Sequence, residues 1–204
     1  MSDLKYRVLR LDELTIQRNH NEDVARKLRT DGVADSQTLG IWLPMMGVSV
    51  NVVTIATNWT GEPAAPAFND DRIVSVRTRL FDTLTRGQEP CTRDGIYTHR
   101  WFTVTPDNVG PLTQNSIEAW KSSEVDTEMR VAGFWRCREL NADGSALVLM
   151  IVYYPDLAAW DASRYWKPKP AGQEQPNRNV WGGLFAQRRD ILLDSLVTVH
   201  RPIL

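Results

Sequence analysis

The stretch that decides the fold opens at Gly95-Ile96-Tyr97-Thr98-His99-Arg100-Trp101-Phe102-Thr103-Val104 and runs on to Tyr154. Its first ten residues are β-branched and aromatic, which reads as a strand. Pro106-Asp107 stops that strand. A helical pattern follows from about Asn108 to Lys121, with Val109, Leu112, Ser116, Ala119 and Trp120 on one face and Asp107 as the expected cap. Two further apolar runs, Val131 to Leu140 and Ala146 to Tyr154, are joined by Asn141-Ala142-Asp143-Gly144. Asp-Gly tolerates the positive φ of a tight turn, so this is a hairpin. The βαββ order is the opening of a ferredoxin-like sandwich.

On the C-terminal side, Asp156 should cap a helix from Leu157 to about Trp166, and residues 167–178 are a proline-studded loop. A helix from about Val180 to Leu193 and a strand Leu196 to His200 follow. On the N-terminal side, Tyr6 to Ile16 reads as a strand. Asn21 to Thr30 reads as a helix, capped by Asn19 or Asn21 and ended at Gly32. Leu39 to Val50, Val52 to Trp59 and Ile73 to Phe81 are further strands. Residues 60–71 are a loop because prolines and a glycine forbid regular structure there, and 82–94 link the two halves.

These halves echo one another. Gly40-Ile41-Trp42 opens the second strand of the first, and Gly133-Phe134-Trp135 opens its counterpart. Asp71-Arg72-Ile73-Val74-Ser75-Val76-Arg77 resembles Asp194-Ser195-Leu196-Val197-Thr198-Val199-His200-Arg201. The fold class is therefore α+β, with two tandem ferredoxin-like repeats: residues 1–90, whose second helix has given way to the proline-rich loop, and residues 91–204.

Composition narrows the function. The chain has 204 residues, 42% hydrophobic and 24% charged, enough to bury a core. A net charge of −1 without a basic block argues against nucleic acid as partner. No run approaches the length of a membrane span, and the N-terminus lacks the build of a signal peptide. Cys91 and Cys137 form neither a metal spacing nor a disulfide framework, so the expected setting is cytoplasmic, with both as free thiols. Eight tryptophans suit either core filling or an aromatic cavity for a flat ligand.

The run His99-Arg100-Trp101-Phe102-Thr103-Val104-Thr105-Pro106-Asp107 resembles the strand-to-helix passage of NIPSNAP-like proteins. Val131 to Trp135 and Tyr153-Tyr154-Pro155-Asp156-Leu157 resemble that family's hairpin and second helix. Trp181, Phe185 and the terminal Val199-His200-Arg201-Pro202-Ile203-Leu204 are similar to its tail. The resemblance covers about 95–204, and earlier residues follow it only in topology. It implies a dimeric α+β barrel, here with both units in one chain packed sheet to sheet, and with room for a homodimer. The wider group includes cofactor-independent monooxygenases, haem-degrading enzymes, isomerases and lyases, and fold alone does not choose among them.

Alternation along residues 96–104 puts Ile96, Thr98, Arg100, Phe102 and Val104 on one face and Tyr97, His99, Trp101 and Thr103 on the other. An arginine against packed helices is costly unless paired, so Arg100 is expected inside the barrel, to bind a carboxylate or an enolate-like oxygen, or else in an ion pair with Glu118, Glu139 or Asp161. His99 reads as a general base, a haem ligand or a hydrogen-bonded surface histidine, and His200 in the closing strand could approach the same space. His99, Arg100 and His200 are thus the catalytic candidates. Tyr97, Trp101, Trp42, Trp135, Arg136 and Tyr153, with Tyr154, are the candidate walls for a small apolar or aromatic ligand. No nucleophile elbow, phosphate loop or paired His/carboxylate spacing is present. The expected function is a cofactor-independent monooxygenase, isomerase or lyase acting by proton transfer at an activated carbon. A non-catalytic ligand-binding or interaction module and a haem-binding protein are the alternatives.

Overall fold

Antiparallel pairing runs unbroken round the molecule. In the computed structural model, which describes residues 4–204 other than 66, 170 and 173, eight strands close into a barrel. The strands are β1 (Val8–Ile16), β2 (Gln37–Met46), β3 (Val52–Trp59), β4 (Ile73–Arg86), β5 (Ile96–Val104), β6 (Arg130–Leu140), β7 (Ala146–Tyr154) and β8 (Asp194–Pro202). The helices are α1 (Asn21–Asp31), α2 (Val109–Asp126), α3 (Leu157–Ala162) and α4 (Arg178–Asp190). The order round the barrel is β1-β3-β2-β8-β5-β7-β6-β4. Its first half reads β2-β3-β1-β4 and its second β6-β7-β5-β8, so first, second, third and fourth strands hold the same places in both. Each fourth strand pairs with the other half's second: Phe81 faces Cys137, and Pro44 faces His200. Closure leaves no long unpaired edge to satisfy.

The helices lie outside, and they are unequal. In the second half α2 and α4 cover the sheet, burying Phe102, Trp120, Phe134, Val148, Trp181 and Phe185 in one cluster. The buried Asp126 carboxylate pins the two helices together, accepting from Trp181 Nε1 at 2.9 Å and from the Asn177 backbone N–H at 2.8 Å. In the first half α1 alone packs on the sheet, through Val24 and Leu28 against Leu14, Ile41 and Val53. Between β3 and β4 the described residues hold no helix.

The Gly-x-Trp echo has a steric cause. A Cβ at Gly40 would stand 2.2 Å from the Trp42 ring, and one at Gly133 would stand 2.2 Å from the Trp135 ring. Each glycine is the floor over which the next inward indole folds back, and both indoles are fully buried. With Leu9, Leu11, Phe81 and Ile151 they fill the middle of the barrel. Of the two roles the tryptophans suit, Trp42 and Trp135 therefore take core filling and do not wall a cavity. Among the described residues, cavities open towards two ends of the barrel.

Several boundaries differ from expectation. Helix α3 stops at Ala162, because the Ser163 N–H bonds the carbonyls of Ala159 and Trp160 and tightens the last turn. Helix α2 continues to Asp126. Asp156 caps α3 as expected, accepting from the Ala159 N–H at 2.8 Å. Asp107 instead lies in a short 3₁₀ turn, and Asn21 donates to the Val50 carbonyl rather than capping α1. No described helix is long and apolar enough to cross a membrane.

Gly133→Ala should cost about 1–3 kcal/mol by overpacking, a loss of roughly 2–12 °C in Tm for a chain this size. Gly183→Ala is the control: it lies exposed within α4 with nothing within 4 Å of the added carbon, and helix propensity should leave it neutral or stabilised. Thermal melts of the two variants decide this.

Candidate functional site

The filled middle separates two end cavities. Where β5 finishes and β8 begins, a cavity of about 320 Å³ is lined by His99, Trp101, Thr198, His200, Arg79 and Glu13 among others. At the opposite end a broader recess of about 660 Å³ lies between Tyr97, Tyr153 and residues 86–93. Strand alternation makes both: the odd residues of β5 point inward, while Ile96, Phe102 and Val104 pack against the helices.

At the first cavity two imidazoles lie face to face. The His99 and His200 rings stack with centroids 4.0 Å apart and planes 22° from parallel, and the side chains are 1% and 2% exposed. Trp42 closes the back, its ring edge-on to His99 at 4.8 Å. The His200 Nε2 lies 2.8 Å from Thr198 Oγ1, which itself lies 3.4 Å from the His99 carbonyl. The arrangement that satisfies both contacts has the Thr198 hydroxyl donating to that carbonyl and accepting from Nε2–H, which leaves Nδ1 of His200 a bare acceptor. That Nδ1 and Nε2 of His99 have no hydrogen-bond partner among the described residues. Stacked rings cannot hydrogen-bond each other, and orphaned buried nitrogens are rare enough to require a reason.

Burial sets the charge state. Desolvation, then the neighbouring His200, holds His99 well below the usual histidine range, and desolvation lowers His200 to about 4. Both rings are neutral at neutral pH. Across the cavity the Arg79 guanidinium lies 5.1 Å from the Trp101 ring centre and donates to Glu13 at 3.1 Å. It supplies a held positive charge beside the Glu13 carboxylate, and Arg77 and Asp194 also line the cavity.

Of the sequence candidates, His99, His200 and Trp101 meet at this cavity. Trp42 and Trp135 are core rather than cavity wall, and Tyr97 and Tyr153 belong to the opposite end, 5.5 Å apart. Arg100 is not inside. It lies on the helix side of β5, donating to Tyr154 Oη at 2.8 Å and to Thr98 at 3.4 Å, with no ion pair to Glu118, Glu139 or Asp161. The cost argument fails there because the sheet–helix seam provides phenol and hydroxyl acceptors in place of a carboxylate. Arg136 lines neither end cavity. It stands between the inward Trp135 and Cys137 on β6, opposite Val148 of the outer cluster. Arg79, Glu13 and Thr198 were missed. Arg79 sits in the alternating Ile73–Phe81 run, but only its pairing with β1 shows that it faces inward.

The cavity does not fit a haem: it measures about 320 Å³, and Glu13, Arg77, Arg79 and Asp194 line it beside the two histidines, where a porphyrin would need apolar walls. Among the described residues no three His, Cys, Asp or Glu side chains converge as a metal site.

No family model and no curated protein sequence matches the chain. Solved structures do. A proposed monooxygenase from Lactobacillus acidophilus NCFM superposes with a TM-score of 0.62 at 10% identity, covering 97% of this chain and 94% of its own. An anthrone oxidase-like protein gives 0.61 at 14%, covering 100% and 93%. A proposed monooxygenase from Fusobacterium nucleatum gives 0.62 at 8%, covering 99% and 94%. At these identities the likeness shows the fold, that of the dimeric α+β barrels, and the resemblance to NIPSNAP-like proteins carries no further than this.

In the unfolded chain an imidazole takes up a proton as the pH drops through about 6.5, whereas His200 in the fold stays neutral until about 4. The unfolded state binds more protons across that window, so stability falls as the pH falls through it. His200→Gln should remove roughly 3 kcal/mol of that loss. Denaturant melts of wild type and variant at pH 7 and pH 4 measure the difference.

Proposed function

We propose that the chain is an enzyme that removes a proton from an activated carbon of a small, flat, largely apolar molecule at the His99–His200 end of the barrel. The observation that carries this is the stacked pair of buried, neutral imidazoles with unpartnered nitrogens, beside an aromatic wall and a held guanidinium. A planar substrate lies against Trp101 with its carbonyl towards Arg79. An imidazole takes the C–H proton, and the negative charge that develops on oxygen is met by the Arg79 guanidinium. Burial makes each imidazole a weak base towards water. A bound substrate that displaces water from the cavity offsets this, because imidazolium and enolate then form together as a close ion pair. The proton step needs only the chain's own groups.

The fate of the carbanion separates the reaction classes. In a monooxygenase the carbanion of an activated methylene reacts with dioxygen, giving a ketone and one water. In an isomerase the proton returns to a different carbon, and in a lyase a leaving group departs. The names of the matched structures, which include monooxygenases and an anthrone oxidase-like protein, favour the first, with a tricyclic ketone as the type of substrate.

Residues 1–90 and 91–204 are, on the same reading, two ferredoxin-like units from a duplication. The shared strand order and the twin Gly-x-Trp folds support it. Matching the registers of β1 and β5 puts Leu11 where the second unit has His99, and Phe81 where it has His200. The chemistry therefore belongs to one end only. Cys91 and Cys137, buried as free thiols, suit a reducing compartment.

Deuterium exchange at the methylene of anthrone, followed by NMR without oxygen, tests the proton step apart from any later one. Wild type should accelerate exchange, and His99→Ala and His200→Ala should each lower the rate about 100-fold or more. Full exchange rates in both variants would contradict the assignment.

A further inference from the structure

The outer face of β5 holds an arrangement the barrel site does not use. Arg188, in the last turn of α4, is 7% exposed, and its guanidinium lies 5.0 Å from the Phe102 ring centre and 4.5 Å from that of Phe185. Its one hydrogen bond among the described residues is a long 3.4 Å contact to Ser116 Oγ, although the group has five N–H donors. Arg100 lies beside it, close enough to weigh on its charge; burial first, then Arg100, lowers Arg188 to about 9. Arg164 forms a third wall, stacked on Trp160 at 4.3 Å, with a buried Nε that makes no hydrogen bond among the described residues and pairs with the Asp161 carboxylate only at 3.6 Å.

These three guanidiniums line a small, partly open cavity of about 40 Å³ together with Met150, Tyr154 and Ser163, and no carboxylate is among its described walls. The nearest acid is Asp161, a half-exposed side chain 3.6 Å from Arg164. Arg100 and Arg188 form no ion pair among the described residues. Burying like charges side by side without a counter-charge is among the most costly arrangements a fold can hold.

We infer that this pocket between β5, α4 and the turn after α3 is a binding site for a small planar oxyanion of the size of formate or bicarbonate. A guanidinium presents its N–H groups in a fork that matches two carboxylate oxygens, and Arg188 lines this space with Arg100, whose Nε and Nη2 are engaged by Thr98 and Tyr154. The volume suits a group of three or four heavy atoms, since a single water needs about 10–15 Å³ measured this way. The anion neutralises the seam between β5 and α4. It thereby fixes the strand that carries His99 and Trp101 on its other face, whatever reaction occurs there.

Thermal melts with increasing sodium formate or bicarbonate, a bulky organic sulfonate keeping the ionic strength constant, test this. Tm should rise saturably, by roughly 5–10 °C at a hundredfold excess over Kd. Arg188→Met should melt at or above the wild-type temperature without added anion and lose the rise. Arg100→Gln, which keeps a donor for Tyr154, should weaken it, and it carries the test if Arg188→Met fails to fold. No saturable rise in wild type, or an equal rise in the variants, would overturn the inference.

Discussion

A strand can show only one of its faces to the inside of a barrel, and in β5 that choice governs everything else. Tyr97, His99 and Trp101 point inward, and Arg100 points out. One strand thus supplies the rings of the barrel site and a cation of the sheet–helix seam. The interior of an eight-stranded barrel is only wide enough for side chains to fill. The large residues at the middle therefore decide where any space remains. Here Trp42 and Trp135, each folded back over its own glycine, occupy the waist and leave cavities at the ends.

That packing also sets the electrostatics. The histidines lie against Trp42, each other and the sheet, so little water reaches them to support a charge. Neutral imidazoles in such a place are poor ion-pair partners and useful proton acceptors. Arg79 is placed differently: its charge is held by Glu13 and the Trp101 face rather than by bulk solvent. A pair of neutral bases in a cavity that Arg79 and Arg77 also line is a division of charge suited to building an enolate-like anion.

The second half was largely legible as a sequence. Ala146 to Tyr154 appears as a strand with those ends, and the Asp143-Gly144 turn has Gly144 at φ 81°. The split of His99 and Arg100 onto opposite faces was also legible, because a period of two needs no tertiary information. Which face lay inside was not, since it depends on where α2 and α4 pack. The expected burial cost of Arg100 pointed the wrong way because it took no account of Tyr154 as a partner. The first half was harder to read. Residues 82–94 read as a link between the halves, yet β4 continues past Phe81 to Arg86, where β6 pairs with it. The glycine echo was visible as a repeat, but its meaning as a floor for an indole required the side chains.

The central claim is that His99 and His200 are neutral proton acceptors enclosed at one end of the barrel. Nitrogen NMR of the two imidazoles across a pH series reads their charge directly. The account predicts that both rings keep the neutral pattern from pH 8 down to 5, with His200 changing only near 4. Titration of both with midpoints near 6.5, as for imidazoles in water, would contradict it.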